Sequence, residues 1–82
     1  MDERQQLFTI TMEECGELVQ ACSKIMRHGD DNNKWRKQLV EEAGDVLCML
    51  ERLHEWDYFS WTELEDRVQV KREKLKKWSN LV

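Results

Sequence analysis

Four acidic side chains in this sequence have the type and spacing needed to bind a divalent metal ion. Glu14 and Glu17 lie three residues apart, and Glu42 and Asp45 repeat that spacing further along the chain. Three residues are just under one helical turn, so each pair projects from one face of a helix. Carboxylates that converge in a partly buried place are costly unless a cation neutralises them. The pattern therefore predicts a cation site between two helices.

Magnesium is the ion that suits such a site best. It prefers oxygen ligands, takes octahedral geometry and keeps several waters, and Mn²⁺ is the expected substitute. Phosphate oxygens are natural ligands for the remaining positions, and a water oriented there can attack phosphorus in line. The acids therefore predict Mg²⁺-assisted hydrolysis of a phosphoanhydride.

Three helices are expected to position these residues. The first covers about residues 3–27 and ends at a glycine-containing loop. The second covers about residues 34–56, and the third follows a capping box at residues 60–63 and ends near Trp78. The prediction is an all-α fold, a single domain over residues 1–82 whose three main helices form an antiparallel bundle.

Each acidic pair interrupts the apolar stripe of its own helix. On a helical projection Glu14 and Glu42 fall at the centre of the stripe, and Glu17 and Asp45 lie about 60° from it. Both helices thus present the same arrangement. The alternative interpretation is that these acids are exposed or pair with basic residues of the third helix.

On the third helix, a positively charged residue interrupts the apolar stripe. Lys71 occupies a position where an apolar residue is expected, and Arg67 and Lys74 flank it. Lys71, Lys74 and Arg67 are candidates for binding substrate, with Lys71 and Lys74 expected to bind phosphate groups. Lys24, near the end of the first helix, either contacts substrate or stabilises the helix C-terminus.

Two further acids precede the metal-ligand candidates. Glu13 and Glu41 lie about 100° from the centre of their stripes. They are either surface acids or candidate catalytic residues that orient the attacking water. Trp35 or Phe8 is a candidate for lining a nucleobase pocket, and core packing is the alternative for both.

The composition limits the classes of function. A chain of 82 residues is one domain, and its net charge of −4 argues against nucleic-acid binding despite the basic run at residues 71–77. No apolar run approaches the roughly 20 residues that cross a bilayer, and residues 1–6 lack the order of a signal peptide. We therefore expect a cytoplasmic protein with no membrane partner.

The three cysteines do not have the spacing of a metal or redox site. Cys15, Cys22 and Cys48 lie within helical patterns. Buried, reduced thiols are the predicted state.

With these motifs the sequence resembles the MazG-like group of all-α nucleoside triphosphate pyrophosphohydrolases. The resemblance rests on Glu-x-x-Glu at residues 14–17 and Glu-x-x-Asp at residues 42–45, each preceded by a second Glu. Residues 71–80 are similar to the last helix of small phage-type members.

The resemblance implies cleavage of a nucleoside triphosphate between the α- and β-phosphates, giving the monophosphate and pyrophosphate. It also implies Mg²⁺ held by the four acids and a basic last helix that contacts phosphate. Many members have a further helix before the first motif, and many have Asn and Arg where Leu75 and Trp78 align. Base preference is not predicted, and dUTP or phosphoribosyl-ATP are substrates that the same acids would serve.

Three helices are too few to surround four acids. We therefore expect a second copy to complete a four-helix-type bundle, in a homodimer or homotetramer. The competing hypothesis for function is a non-catalytic helical module for oligomerisation or regulation, whose acids pair with its own basic helix.

Overall fold

The computed structural model describes residues 1–81, which contain three α-helices and no strand. Helix α1 spans Glu3–His28, α2 spans Asn33–Glu55 and α3 spans Trp61–Trp78. The all-α prediction and the expected helix boundaries are confirmed. None of these helices combines the length and the apolar composition that a bilayer crossing requires.

The helix ends follow from local side-chain chemistry. Asp2 caps α1 by accepting a hydrogen bond from the Gln5 backbone N–H at 2.7 Å, and Ser60 caps α3 through the Glu63 backbone N–H at 3.1 Å. Gly29 ends α1 at a φ of 78°, a left-handed conformation that favours glycine. Asn32 then caps α2, so the turn between α1 and α2 is short.

Helices α1 and α2 form an antiparallel hairpin. The first turns of α1 lie beside the last turns of α2, where Leu7 and Ile10 line one hollow with Met49 and Trp56. The core of this hairpin is thin. Within residues 1–81 the buried hydrophobic side chains are Leu7, Ala21 and Leu53.

Contacts at the N-terminal end of α3 hold this helix to the hairpin. The His54 Nδ1 atom lies 2.9 Å from the Phe59 carbonyl oxygen, and the His54 ring is 4.6 Å from the Trp61 ring. Tyr58 in the same link accepts a hydrogen bond from Arg4 Nε at 3.1 Å. The link between α2 and α3 is therefore anchored at the end of the hairpin opposite its turn.

Beyond this anchor α3 does not pack along the hairpin, so the expected three-helix bundle forms only in part within one chain. No residue of α3 is buried, and Val68 and Trp78 of its apolar stripe are exposed. Lys71 interrupts that stripe, which leaves too little continuous apolar surface to hold α3 against α1 and α2.

The prediction of buried cysteines is wrong. Cys15, Cys22 and Cys48 are free thiols with exposed side chains. Cys15 and Cys22 lie on a side of α1 that α2 does not cover, because one partner helix covers only one side of another.

Candidate metal centre

Three carboxylates meet between α1 and α2. Glu14, Glu42 and Asp45 each offer one oxygen, and these oxygens lie within 4.8 Å of one another. Glu14 and Glu42 are half-buried, whereas Asp45 is exposed. The antiparallel packing of the two helices brings the acidic motifs face to face.

The surroundings of Glu14 and Glu42 disfavour negative charge. Desolvation in the interhelical groove raises the pKa of Glu14, and repulsion by Asp45 and Glu42 raises it further. The pKa of Glu42 is raised by desolvation, then by Glu17 and Asp45. Ionised together, these groups require a compensating positive charge.

Glu17 lies close to the other acids but outside the group of three. Its side chain is exposed, and its charge contributes to the raised pKa values of both Glu14 and Glu42. It lies one turn after Glu14 on α1. Its assignment as a fourth ligand remains a prediction.

Glu13 and Glu41 are exposed beside the cluster. Glu13 raises the pKa of Glu14, and Glu41 raises that of Glu42. Both carboxylates are therefore close to the ligand candidates and open to solvent. Orientation of a water by these groups remains a prediction.

The donor set fits a hard cation. All the converging groups are carboxylates, which Mg²⁺ and Mn²⁺ accept as ligands. Two oxygens bound at about 2.1 Å to one ion are at most about 4.2 Å apart, and the three carboxylate oxygens, which lie within 4.8 Å of one another, are in the same range of separations.

Ion pairs do not neutralise this cluster within one chain. In residues 1–81 the two ion pairs join Arg52 to Glu55 at 2.7 Å and Lys76 to Glu73 at 3.2 Å. Both lie outside the cluster. Pairing of the acids with α3, which the alternative interpretation expected, does not occur in residues 1–81.

Of the predicted basic residues, the structure brings Lys24 to the cluster. Lys24 is half-buried, and its charge lowers the pKa of Glu42 against the other influences. Arg67, Lys71 and Lys74 are exposed on α3. Because α3 does not pack along the hairpin, these three residues do not reach the acids of their own chain.

Two other lysines, Lys34 and Lys37, lie beside the cluster and were not predicted as site residues from the sequence. A hollow of about 480 Å³ beside the cluster is lined by Lys34, Lys37, Gln38, Glu41 and Glu42. A detectable signal was present, because Lys37 and Gln38 precede Glu41 and Glu42 by four residues and so share their face of the helix. This hollow places positive and negative groups side by side at the edge of the cluster.

Trp35 lies at the turn end of the hairpin in a cationic environment. Its ring stacks on His28 with centroids 4.7 Å apart, and the Nζ atoms of Lys24 and Lys34 lie 5.6 and 4.7 Å from its centroid. Phe8, the other aromatic candidate, contacts Tyr58 near the opposite end. Trp35 is therefore the aromatic side chain on the Lys24 side of the cluster.

A second set of metal ligands is not formed at the Glu51–His54 pair. These residues have the three-residue spacing of a helical ligand pair, but His54 Nδ1 is engaged with the Phe59 carbonyl. His54 also lies about 18 Å along α2 from Glu42. In the part of the chain that the structure describes, Glu14, Glu42 and Asp45 are the one group of three candidate ligands.

A family comparison accounts for this arrangement of acids. The model of the MazG nucleotide pyrophosphohydrolase domain matches residues 2–79. The chain belongs to the MazG family. Neither the curated proteins nor the solved structures compared with the chain gave a match.

Membership of the MazG family confirms the resemblance noted in the sequence. It makes the chain a hydrolase of the nucleotide pyrophosphatase type, and MazG domains typically depend on a divalent metal. The match extends over all three helices, so α3 is part of the MazG domain even though it stands apart from the hairpin here.

Proposed function

We propose that this MazG domain, a single domain over residues 1–82, hydrolyses nucleoside triphosphates between the α- and β-phosphates. The products are a nucleoside monophosphate and pyrophosphate. The observation that supports this proposal is the convergence of three carboxylates from two helices within 4.8 Å in a chain of this family. Glu14, Glu17, Glu42 and Asp45 would hold Mg²⁺, with Mn²⁺ as a substitute.

When bound, the metal would neutralise the negative charge that grows on the phosphate oxygens. The chain's own residues would orient the water and supply positive charge near the phosphates. Glu13 and Glu41 are exposed next to the ligands, so their carboxylates can accept hydrogen bonds from a water and orient it. Lys24 adds positive charge on the α1 side, and Lys34 and Lys37 add it on the α2 side.

The basic residues of α3 take part in the proposed function through assembly. Arg67, Lys71 and Lys74 are exposed and project from a helix without packing partners along its length. We propose that the active form is a homodimer or homotetramer in which these residues close over the phosphates of a bound nucleotide. In the assembly, a second copy would cover the side of the metal site that the open hairpin leaves exposed to solvent.

The test is a screen for pyrophosphate release. The purified protein is incubated with Mg²⁺ and each of the common ribo- and deoxyribonucleoside triphosphates, and pyrophosphate and orthophosphate are measured separately. Pyrophosphate and monophosphate in equal amounts are expected for at least one substrate. Release of orthophosphate alone would reject cleavage between the α- and β-phosphates, and no release with any of them would favour a non-catalytic helical module.

A further inference from the structure

A stripe of exposed, uncharged side chains runs along α1 on the side that α2 does not cover. The spacing between successive residues of the stripe alternates between three and four positions, as it does for the contact positions of a coiled coil. The residues of the stripe are Met12, Cys15, Val19, Cys22 and Met26. Met12, Val19 and Met26 expose 66%, 68% and 87% of their surface, so the chain itself leaves this stripe uncovered.

The residues that flank the stripe between positions 11 and 26 are also uncharged. Thr11 and Leu18 flank it on one side and Gly16 and Ser23 on the other, which makes an uncharged arc of about 160°. An open hollow of about 610 Å³ follows the stripe from Cys15 to Met26, and Arg27 borders its C-terminal end. Glu14 and Glu17 lie about 140° and 160° around the helix from Val19, so the stripe faces away from the acid cluster.

We propose that this stripe is the contact between two copies of the chain, packed antiparallel about a two-fold axis at Val19. The proposal rests on the oligomeric assembly put forward above and adds to it an interface on the side of α1 away from the acid cluster. The stripe reads Met-Cys-Val-Cys-Met in both directions. A two-fold interface requires a surface that is complementary to itself, and a stripe with the same residues in either direction meets that requirement.

The register follows from the centre of the stripe. Val19 packs on Val19 of the partner and Met12 faces Met26 of the partner, while Cys15 lies within one residue, about 1.5 Å along the helix axis, of Cys22 of the partner. A parallel arrangement would instead place each cysteine against its own counterpart. The two arrangements therefore differ in which thiols come together.

Gly16 supports a close approach by a second helix. Glycine is a poor helix former, and a Cβ atom at Gly16 would meet no atom within 4 Å in this chain. Packing within one chain therefore does not require a glycine here, nor at Gly44 of α2, which also meets no atom within 4 Å. A helix of a second copy lying beside the stripe would use the space at Gly16, because glycine lets backbones approach closely.

The exposed area of one chain is large enough for such a contact. The chain exposes 6787 Å², whereas a compact monomer of 10.0 kDa is expected to expose roughly 5,200 Å². The excess of about 1,500 Å² belongs partly to α3, which has no buried residue, and it is larger than the roughly 800 Å² that each partner buries in an interface of standard size. Contact along the stripe leaves the acid cluster and α3 free for a second interface, as in a dimer of dimers.

Cysteine cross-linking tests the partner and the register together. In a Cys48→Ser background, Cys15→Ser retains only Cys22 and Cys22→Ser retains only Cys15. Each protein is oxidised alone and after mixing, and a short bismaleimide reports the same proximity without the geometric demands of a disulfide. We expect covalent dimers in the mixture and not in either protein alone, with mass spectrometry joining the Cys15 peptide to the Cys22 peptide. Cross-linking of either protein alone, or none in the mixture, would overturn the proposal.

A charge substitution tests the interface in the otherwise unaltered chain. Val19→Glu places a carboxylate on the two-fold axis, and Gln20→Glu places the same charge about 100° around the helix as a control. Val19→Glu is expected to weaken self-association at least about 30-fold by analytical ultracentrifugation, and Gln20→Glu less than about threefold. Equal effects would reject the interface. Circular dichroism checks folding, and the cysteine experiment decides the question if Val19→Glu does not fold.

The interface and the proposed reaction can fail separately. A protein that passes the cross-linking test but releases no pyrophosphate retains the interface and loses the proposed reaction. A pyrophosphohydrolase that remains monomeric at all concentrations overturns the interface and the proposed assembly and retains the proposed reaction.

Discussion

Glu14 of α1 and Glu42 of α2 face each other across the hairpin, each with a carboxylate oxygen within 4.8 Å of the other. Both are half-buried, and each occupies the middle of the apolar side of its helix. Desolvation raises the pKa of both carboxyl groups, and the charge of Glu42 raises the pKa of Glu14 further. The hairpin thus carries an arrangement that is unfavourable for folding alone and favourable for binding a cation.

Replacing Glu42 is expected to lower activity without lowering stability. Glu42→Gln removes one ligand charge with little change of shape, so pyrophosphate release is expected to fall about 100-fold or more. Without divalent ions the variant is expected to be at least as stable as the parent, because the repulsion with Glu14 is removed. Activity is measured by pyrophosphate release and stability by thermal unfolding.

Glu51→Gln is the matched control for this substitution. Glu51 is an exposed acid of the same helix, outside the cluster. Its replacement is expected to leave both activity and stability within the experimental error. A Glu42→Gln protein that keeps full activity would remove Glu42 from the site.

Magnesium is expected to stabilise the folded chain. A ligand present at 100 times its Kd stabilises the state that binds it by about 2.7 kcal/mol. The melting temperature should therefore rise as MgCl₂ is titrated at constant ionic strength. The double variant Glu14→Gln/Glu42→Gln should show no rise, and an identical rise in both proteins would show that the effect does not come from the cluster.

The raised pKa values of Glu14 and Glu42 predict a dependence of stability on pH. Above 4.5, the ordinary glutamate value, the folded chain holds protons on these groups that the unfolded chain has lost. Without divalent ions, stability should therefore increase as pH falls through the raised pKa values towards 4.5. Urea unfolding, followed by tryptophan fluorescence between about pH 7 and about pH 5, measures this dependence.

The double variant isolates the contribution of the cluster. Other carboxylates also titrate in this range, so the free energy of unfolding is compared between the parent and Glu14→Gln/Glu42→Gln at each pH. The difference in unfolding free energy between the two proteins should become smaller as pH falls. Bound Mg²⁺ requires the ionised carboxylates, so its affinity should fall over the same range. A difference that does not change with pH would contradict the electrostatic description of the site.

Lys71 is expected to act on substrate binding. Lys71→Met removes the charge and keeps much of the side-chain length, and a hydrogen bond to a charged group is worth roughly 1.5–3 kcal/mol. KM for the triphosphate should rise about 10- to 100-fold with a smaller change in kcat. Lys77→Met, which removes a charge from the last turn of the same helix, is the control. Unchanged kinetics for Lys71→Met would reject its phosphate role.

Trp35 is expected to contribute to nucleoside binding. It precedes Glu42 by seven residues, so it lies two turns or about 10.5 Å from Glu42 on the same face of α2, a span that suits a nucleoside. Trp35→Leu should raise KM while leaving the Mg²⁺-induced rise in melting temperature intact. Trp56→Leu, at the opposite end of α2, is the control, and equal effects of both substitutions would indicate a loss of packing alone.

Local features of the fold were predictable because their causes are local. The cap at Ser60, the left-handed Gly29 and the helical repeat of apolar residues depend on neighbours within a few positions. The pairing of Glu14 with Glu42 was also predictable, since both occupy the centre of an apolar stripe and a short turn joins the two helices. The positions of Lys34 and Lys37 beside the cluster follow from the same helical repeat, but they become apparent only once the hollow is seen.

The position of α3 could not be read from the sequence. It depends on the link after α2, where Asp57 adopts a φ of 63°, and on contacts between residues distant in the chain, such as Arg4 with Tyr58. These contacts hold the start of α3 at one end of the hairpin and leave its basic residues away from the acids of the same chain. The exposure of Cys15 and Cys22 follows from this position, because no third helix covers the outer side of α1.

The sequence by itself determined three capped helices, two acidic motifs that share one side of their helices and a basic final helix, because helical periodicity and capping act over a few residues. The tertiary structure decided that Asp45 joins Glu14 and Glu42 while Glu17 lies outside the group of three, that Lys24 lies close to them and that α3 stands apart. Those outcomes depend on the direction of each link and on how much apolar surface each helix has for its neighbours. They are set by packing between distant segments, which no local pattern encodes.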